Sequence, residues 1–504
     1  MATIVLSTLN ARYIHSSLGL RYLKANMEEL EGETEIVEFT LDSRAIDIVE
    51  QIVARQPDIV GFGVYIWNVE QTTQVVGMLK QVAPDITLVL GGPNVSFEQS
   101  SQAIIRYADY VISGQADRRF GELCRELLRG QPPPQKLISS PPVPLDEINL
   151  PYHLYSDEDI AQRIIYVEAS RGCPFKCEFC LSALDRTAKP FPADRFFDEI
   201  DRLHQRGVRH FKFVDRTFNL NIATSIKILD FFLARLDDQL FLHFEVIPDR
   251  LPEKLKAVLV KFPPGSLQFE IGVQSLNPEV QALISRKQDD DKTARNLAWI
   301  RNETHAHIHA DLIAGLPGED LASFARGFNR LAQIGPHEIQ LGILKRLPGT
   351  PIIRHTEAYG MVYSPFPPYN VLRTGHIDFT TMQRVTRFAR YWDMIANSGR
   401  FSHTKPLILA EQPFERFMQL SDWLFETTRQ THKIALKRLY NLVFHALSET
   451  LDVAHERAQQ AIWYDFQRAG LKGRPDFMKP AGTDHRAKTV RTATIASRQR
   501  RHPG

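Results

Sequence analysis

The chain has 504 residues, 43% of them hydrophobic and 24% charged, with a formal net charge of +2. That length exceeds one ordinary core and calls for two or three domains. The near-neutral balance argues against a general nucleic-acid-binding surface. No apolar run approaches a membrane span, and four cysteines are too few for a disulfide framework.

Up to about residue 130, short apolar runs alternate with amphipathic stretches. Strands are predicted at 4–8, 35–40, 58–64, 86–90 and 110–113, and helices at 18–30, 45–55 and 69–82. Val/Ile/Leu strands separated by helices imply a parallel sheet covered on both faces. The predicted fold of 1–130 is therefore doubly wound and flavodoxin-like, with its ligand edge at the carboxyl ends of the strands. Glycines stand at those ends, Gly61 and Gly63, then Gly91 and Gly92. A missing side chain there lets a ligand approach the backbone. Cys124 falls on an apolar helical stripe and reads as a buried thiol. The first residues enter a strand pattern directly, so no signal peptide is expected, and sparse cysteine points to a reducing cytoplasm.

Residues 131–162 contain Pro132, Pro133, Pro134, Pro141, Pro142, Pro144 and Pro151. They are expected to form an extended linker over the surface, because proline excludes regular helix and weakens a strand ladder.

A second α/β series follows. Strands predicted at 163–169, 209–214, 241–247, 266–273, 306–313 and 338–344 fit a partial, TIM-like (β/α)6 barrel over 163–350, with functional groups at the strands' carboxyl ends. The loop after the first of them holds Cys173, Cys177 and Cys180, three of the four cysteines within eight residues. Three thiolates on one tight loop can converge on one metal centre. In a cubane iron–sulfur cluster they leave one iron open to a small molecule. Zinc is the competing ligand, but a second cysteine pair is missing. His305, His307 and His309 alternate onto one strand face and form a second metal-site candidate, and His309 is also a candidate to line a substrate cavity. Residues 351–470 read as aromatic-rich helices, for example 382–396 and 414–449, and the basic tail 471–504 is expected to be disordered.

The Cys-x-x-x-Cys-x-x-Cys spacing, with Phe179 before the last cysteine, resembles the signature of the radical S-adenosylmethionine (radical SAM) superfamily. That resemblance implies a [4Fe-4S] cluster on Cys173, Cys177 and Cys180. It also implies SAM chelated to the fourth iron and reductive cleavage of SAM to a 5′-deoxyadenosyl radical. The later barrel motifs are similar to those of oxygen-independent coproporphyrinogen oxidase. By that likeness Glu245, Gln274, Arg286 and Asp311 contact SAM; Asp215 instead fits the acidic turn that B12-type members often have after the second strand, and Gly315 is a further SAM-binding candidate. Glu245, Gln274 and Asp311 offer acceptors to ribose hydroxyls or an ammonium, and Asp215 accepts from the methionine ammonium. Arg286 pairs with the methionine carboxylate, and Gly315 admits the adenine. Glu270 is a candidate supporting partner. Lys345 and Arg346, ahead of the Pro348-Gly349-Thr350-Pro351 turn, are candidates to meet an anionic substrate.

The N-terminal pieces, from Asn10 to Leu20, Val60-Gly61-Phe62-Gly63-Val64 and Gly91-Gly92-Pro93, resemble the cobalamin (B12)-binding domain that precedes many radical SAM domains. The likeness makes Gly61, Gly63, Gly91 and Gly92 cobalamin-binding candidates. The Asp-x-His-x-x-Gly element that supplies an axial histidine to cobalt is absent, so His15 is expected to pack or hydrogen-bond in the first loop.

Together the resemblances imply a B12-type radical SAM enzyme acting on an unactivated carbon of a small molecule, by methyl transfer, ring closure or rearrangement. An external one-electron donor such as flavodoxin or ferredoxin, and oxygen-poor conditions, come with that reading. Two rivals stand beside it. One is a radical SAM enzyme whose N-terminal domain no longer binds B12 and serves as a partner or substrate platform. The other is a non-catalytic iron–sulfur carrier or sensor, which has no use for the SAM-contact series.

Overall fold

The first strand, Ile4–Asn10, is buried along its whole length, so both faces of its sheet must be covered. The computed structural model describes residues 3–478. The tail expected from 471 therefore lies mostly outside the described residues. The first sheet is parallel, and its first five strands run Ile4–Asn10, Thr34–Thr40, Ile59–Gly63, Thr87–Gly91 and Tyr110–Gly114. Their order, 2-1-3-4-5, places the topological switch between the first and third strands. One face packs Val5, Val37, Ile48, Val60 and Val75. The other packs Ile4, Leu6, Leu20, Phe120 and Cys124, whose thiol burial pushes up to about 12. Between the fourth and fifth strands only two short 3-10 turns, Gln99–Ser101 and Ala103–Arg106, stand in for a helix.

The proline-rich segment departs from the surface linker expected of it. Leu137–Ser140 pairs with the fifth strand as a sixth, edge strand, and Asp157–Gln162 forms a helix behind a Ser156 capping box. The prolines flank these elements without entering them, and an edge position tolerates such neighbours. Ile148, Tyr152 and Tyr155 are buried, so the segment is a packed wedge between the two sheets.

The second sheet is parallel and open, its strands adjacent in chain order: Ile165–Val167, His210–Phe213, Phe241–Val246, Leu267–Gln274, His307–Ala314 and Glu338–Ile343. All six predicted barrel strands form. Phe211, Phe213, Phe232, Phe244 and Phe269 fill the layer between strands and outer helices. Alternation turns Tyr166, Lys212, His243, Glu270 and His309 to the other face, the barrel interior. Helices Phe379–Ile395, Pro413–Thr428, Leu436–Glu449 and His455–Arg468 follow. The single helix expected over 414–449 is broken. Arg429 takes a left-handed backbone (φ 51°) after Thr428, and the polar stretch behind it has no apolar stripe to bury.

The two sheets are joined directly. The Ile164 amide donates to the Ile14 carbonyl (2.9 Å) and the Ser16 hydroxyl to the Ile164 carbonyl (2.9 Å), so the loop after the first strand extends the barrel's leading edge. Arg21 pairs with Asp159 at 2.8 Å, and Arg163 with Glu38 at 2.8 Å.

Candidate cluster and cofactor site

The first barrel strand ends at Val167, and the chain turns back through Arg171 and Gly172 into the cysteine loop. Gly172 has φ 89°, and a Cβ there would stand 2.8 Å from the Ala188 nitrogen. Glycine is thus required for the loop to fold against its own return. The Cys173 amide donates to the Asp185 carbonyl (2.7 Å) and the Cys180 amide to the Cys177 carbonyl (3.1 Å). Cys173 and Cys177 are mostly buried, and burial raises the Cys173 thiol above its ordinary range. Among the described residues no three His, Cys, Asp or Glu side chains converge on a single ion. The three thiols instead border one cavity, as ligands to separate irons of a cluster would.

That cavity measures about 290 Å³. Phe179, Glu245, Gln274, Arg286 and Asp311 line it together with the three cysteines, from five places spread over more than 130 residues of chain. Arg286 Nη1 lies 3.5 Å from Cys177 Sγ, and its other nitrogens bond Gln288 and the Gly272 carbonyl. Gln274 sits at a bulge with φ 69°, and a Cβ on Gly272 would come within 2.4 Å of its amide nitrogen. Glu245 pairs with Arg216 at 2.7 Å. Glu270 lines the cavity too; burial opposes its charge, but His243 (3.0 Å) and Lys212 (3.3 Å) hold it well below the usual carboxylate range. Asp311 goes the other way. Burial, and then the charges of Glu270 and Glu245, push it up to about 8.

Two residues expected at this cavity stand elsewhere. Asp215 is 3% exposed and behind the wall, where its carboxylate accepts from the Ala169 amide (2.9 Å) and the Ser170 hydroxyl (2.6 Å). It shapes the first strand's end. Gly315 faces Val371 and Met382, its missing Cβ making room for the C-terminal segment. Arg346 is not a free cation. It pairs with Glu98 of the N-terminal domain at 2.9 Å. Of the three alternating histidines, His307 stacks on His337 and lies 3.3 Å from Glu338, while His309 lines a separate cavity.

A second cavity, about 680 Å³, lies between the domains. Gly61, Gly63, Gly91 and Gly92 all line it, with Tyr65, Trp67, His15 and Tyr166. The glycines divide by purpose. A Cβ on Gly61 would strike the Phe120 ring (2.8 Å) and one on Gly92 the Val64 carbonyl (2.6 Å), so those two serve protein packing. At Gly91 the nearest atom is 3.8 Å away, which leaves room on the cavity side. His15 Nδ1 lies 2.7 Å from the Tyr166 hydroxyl, tying the first loop to the barrel interior as a hydrogen-bonding residue.

Sequence reasoning missed the braces of the cysteine loop. Arg171 forks onto Asp117 of the N-terminal domain (2.9 and 2.9 Å) and reaches Glu168 (2.9 Å) over the Tyr22 ring. Glu178, between the second and third cysteines, is 4% exposed. It takes hydrogen bonds from Ser285 (2.6 Å) and Arg354 (2.8 Å), with His355 at 2.9 Å. A charged residue between two cysteines was the available signal.

A doubly wound domain packed against the carboxyl end of a parallel partial barrel, with three thiols bordering one cavity and glycines edging another, defines the class of fold. Residues 4–124 match the B12 binding domain family, residues 167–330 the Radical SAM superfamily, and residues 357–502 a family described as a protein of unknown function (DUF4080). The chain thus carries a segment matching the B12-binding domain model ahead of a segment matching the Radical SAM superfamily model. It is similar to an uncharacterised methyltransferase of Pyrococcus horikoshii (29% identical over 234 residues, 42% of this chain and 51% of the relative). It is also similar to the cobalamin-dependent radical SAM methyltransferase TokK of Streptomyces tokunonensis (25% over 348 residues, 61% and 50%). The chain spans about half the length of these curated relatives. The likeness to oxygen-independent coproporphyrinogen III oxidase of Paracoccus denitrificans is partial, 31% over 97 residues and 19% of this chain. Among solved structures, the radical SAM methyltransferase TsrM of Kitasatospora setae, with cobalamin and a [4Fe-4S] cluster bound, superposes with a TM-score of 0.58 at 15% identity. That superposition covers 94% of this chain and 100% of TsrM, and at such identity it is a likeness of fold.

Proposed function

We propose that the chain holds a [4Fe-4S] cluster, SAM and cobalamin, and methylates an unactivated carbon of a small molecule. One observation supports this reading above others: three thiols and the polar side chains expected for SAM meet on one cavity, beside a glycine-edged cavity of the other domain. Bound there, these groups would supply one-electron cleavage of a sulfonium, hydrogen abstraction and a methyl carrier.

The chain's own residues set the conditions. Cys173, Cys177 and Cys180 would hold the cluster and leave one iron open. Arg286 places a guanidinium fork beside Cys177, shaped for a carboxylate. Gln274, Glu245 and Asp311 offer acceptors to hydroxyl or ammonium groups. Burial first, and then the neighbouring Glu270 and Glu245, raise Asp311, and a cationic ligand in this cavity would meet those carboxylates. Gly63 and Gly91 edge the space for a corrin. An electron carrier would have no use for the carboxylate cavity. An external electron donor and an oxygen-poor cytoplasm belong to the same reading. Among the described residues no helix is long and apolar enough to cross a membrane.

The test is anaerobic reconstitution followed by dithionite and methyl-labelled SAM. Cobalamin absorbance, release of 5′-deoxyadenosine and label in a product are expected. Iron-loaded, reduced protein that leaves SAM intact defeats the proposal.

Two narrower results follow. Gly272→Ala should push the Gln274 amide from its place and raise the KM for SAM about 10-fold, the worth of one hydrogen bond, with a smaller change in kcat. An equal fall in kcat with KM unchanged would count against a binding role for Gln274. Asp311 gives a pH signature. Its folded-state pKa near 8 exceeds the ordinary carboxylate value, so the folded chain binds this proton more tightly than the unfolded one. Stability of the ligand-free protein should therefore fall as pH rises from about 4 to 8. A cationic ligand opposes the protonation, so SAM binding at pH 7 should release a proton and tighten toward pH 8. Calorimetry in buffers of different ionisation enthalpy reads this, and Asp311→Asn should abolish it.

A further inference from the structure

A third cavity, about 720 Å³, runs along the open edge of the barrel between the sixth barrel strand and the helix Phe379–Ile395. It lies beside the thiol cavity. His309, which lines it, stands two residues from Asp311 on the same strand face, roughly 7 Å away at ordinary strand rise. Two guanidinium groups line its helix wall. Arg390 is engaged with the Thr431 carbonyl (3.2 Å) and Asp393 (3.8 Å). Arg387 lies over the Phe425 ring at 4.2 Å, its Nε is buried without a hydrogen-bond partner, and among the described residues it has no ion pair. A half-buried cation left so is costly unless a ligand supplies the anion.

The opposite wall is a strand edge. The sixth strand ends the sheet, and the Asn397 side chain pairs with both the amide (3.0 Å) and the carbonyl (2.9 Å) of Ile339 on that edge. Leu341 and Ile343, two and four residues on, share the edge by alternation and line the cavity. No strand of the sheet continues there, so their backbone groups can pair with an amide.

We propose that this cavity is the substrate site, and that the substrate is an organic carboxylate carrying an amide: the carboxylate pairs with Arg387 and the amide with the Leu341–Ile343 edge. The proposal rests on the radical SAM reading above and gives the DUF4080 segment, which contains Arg387, the task of selecting the substrate. Tail and head of such a ligand lie on opposite walls, with its body directed past His309 toward Asp311.

The test uses the full reconstituted chain and hippurate, the simplest aromatic amide-carboxylate, against uncharged hippuramide, by calorimetry or saturation-transfer NMR. Saturable binding of hippurate is expected, weakened about 10-fold or more in Arg387→Met. It should be unchanged in Arg384→Met, a charge control on the same helix that pairs with Asp422 at 2.6 Å away from the cavity. If Arg387→Met does not fold, Arg387→Lys, which loses the fork, should weaken hippurate several-fold without affecting hippuramide. The proposal is overturned by hippurate affinity independent of Arg387, by hippuramide binding as well as hippurate, or by no saturable binding up to about 10 mM. Wild-type release of 5′-deoxyadenosine from SAM, measured alongside, separates the failures. Its absence overturns the radical SAM reading, and its presence without Arg387-dependent binding overturns the carboxylate assignment alone.

Discussion

Cys177→Ala is expected to reduce bound iron to background after anaerobic reconstitution and to lower 5′-deoxyadenosine formation by at least about 100-fold, the upper range for changes even to supporting residues around a metal. The reason is geometric. Cys177 sits between the other two thiols on a loop pinned from several sides, so no neighbouring side chain can take its place. Its flank is locked by Glu178, whose amide donates to the Ile284 carbonyl (3.1 Å) and whose carbonyl accepts from the Ile352 amide (3.0 Å). Iron analysis and product chromatography read the two effects separately. A variant that keeps both iron and turnover shows that this sulfur is not a ligand.

The second large effect is expected at Arg171. Its guanidinium joins the cysteine loop to Asp117 of the N-terminal domain, with the side chains only 13% and 8% exposed. Arg171→Met leaves Asp117 and Glu168 without their counter-ion. Breaking a buried pair from one side costs about 3–5 kcal/mol. Burial has already pushed Glu168 up to about 7, opposed by Arg171, so without the guanidinium it should carry its proton at neutral pH. Denaturant unfolding should show the first transition moved to lower concentration. Removing both ends, with Asp117→Asn, should restore part of the loss, because the coupling energy disappears when neither partner remains. Additive losses in the double variant contradict a direct pair.

The barrel and its cysteine loop were legible because their signals are local. A run of apolar residues of strand length, or three thiols in eight residues, needs no knowledge of distant chain. The glycines of the first sheet were legible as strand ends but not by role, since Gly61 answers to Phe120 and Gly92 to Val64, partners set by the packing of the sheet. Asp215 and Gly315 follow the right motifs yet turn to other neighbours. Motif position locates a Cα along the barrel rim, whereas hydrogen bonds to Ala169 and Ser170, or contact with Val371, settle which wall a residue serves. The proline-rich segment misled because composition reports what proline forbids at its own site, and here short proline-free stretches between them found partners in both sheets.

By itself the sequence determined the two parallel sheets, the thiol trio and the list of polar groups at the barrel mouth, because periodicity and spacing act over one turn or one strand. Only the tertiary structure decided which of those groups share a cavity, that Arg346 and Arg171 hold the domains together through Glu98 and Asp117, and that Arg387 is left facing the open barrel edge. Burial and pairing of charge depend on residues far apart along the chain, and those distances exist only once the domains have packed.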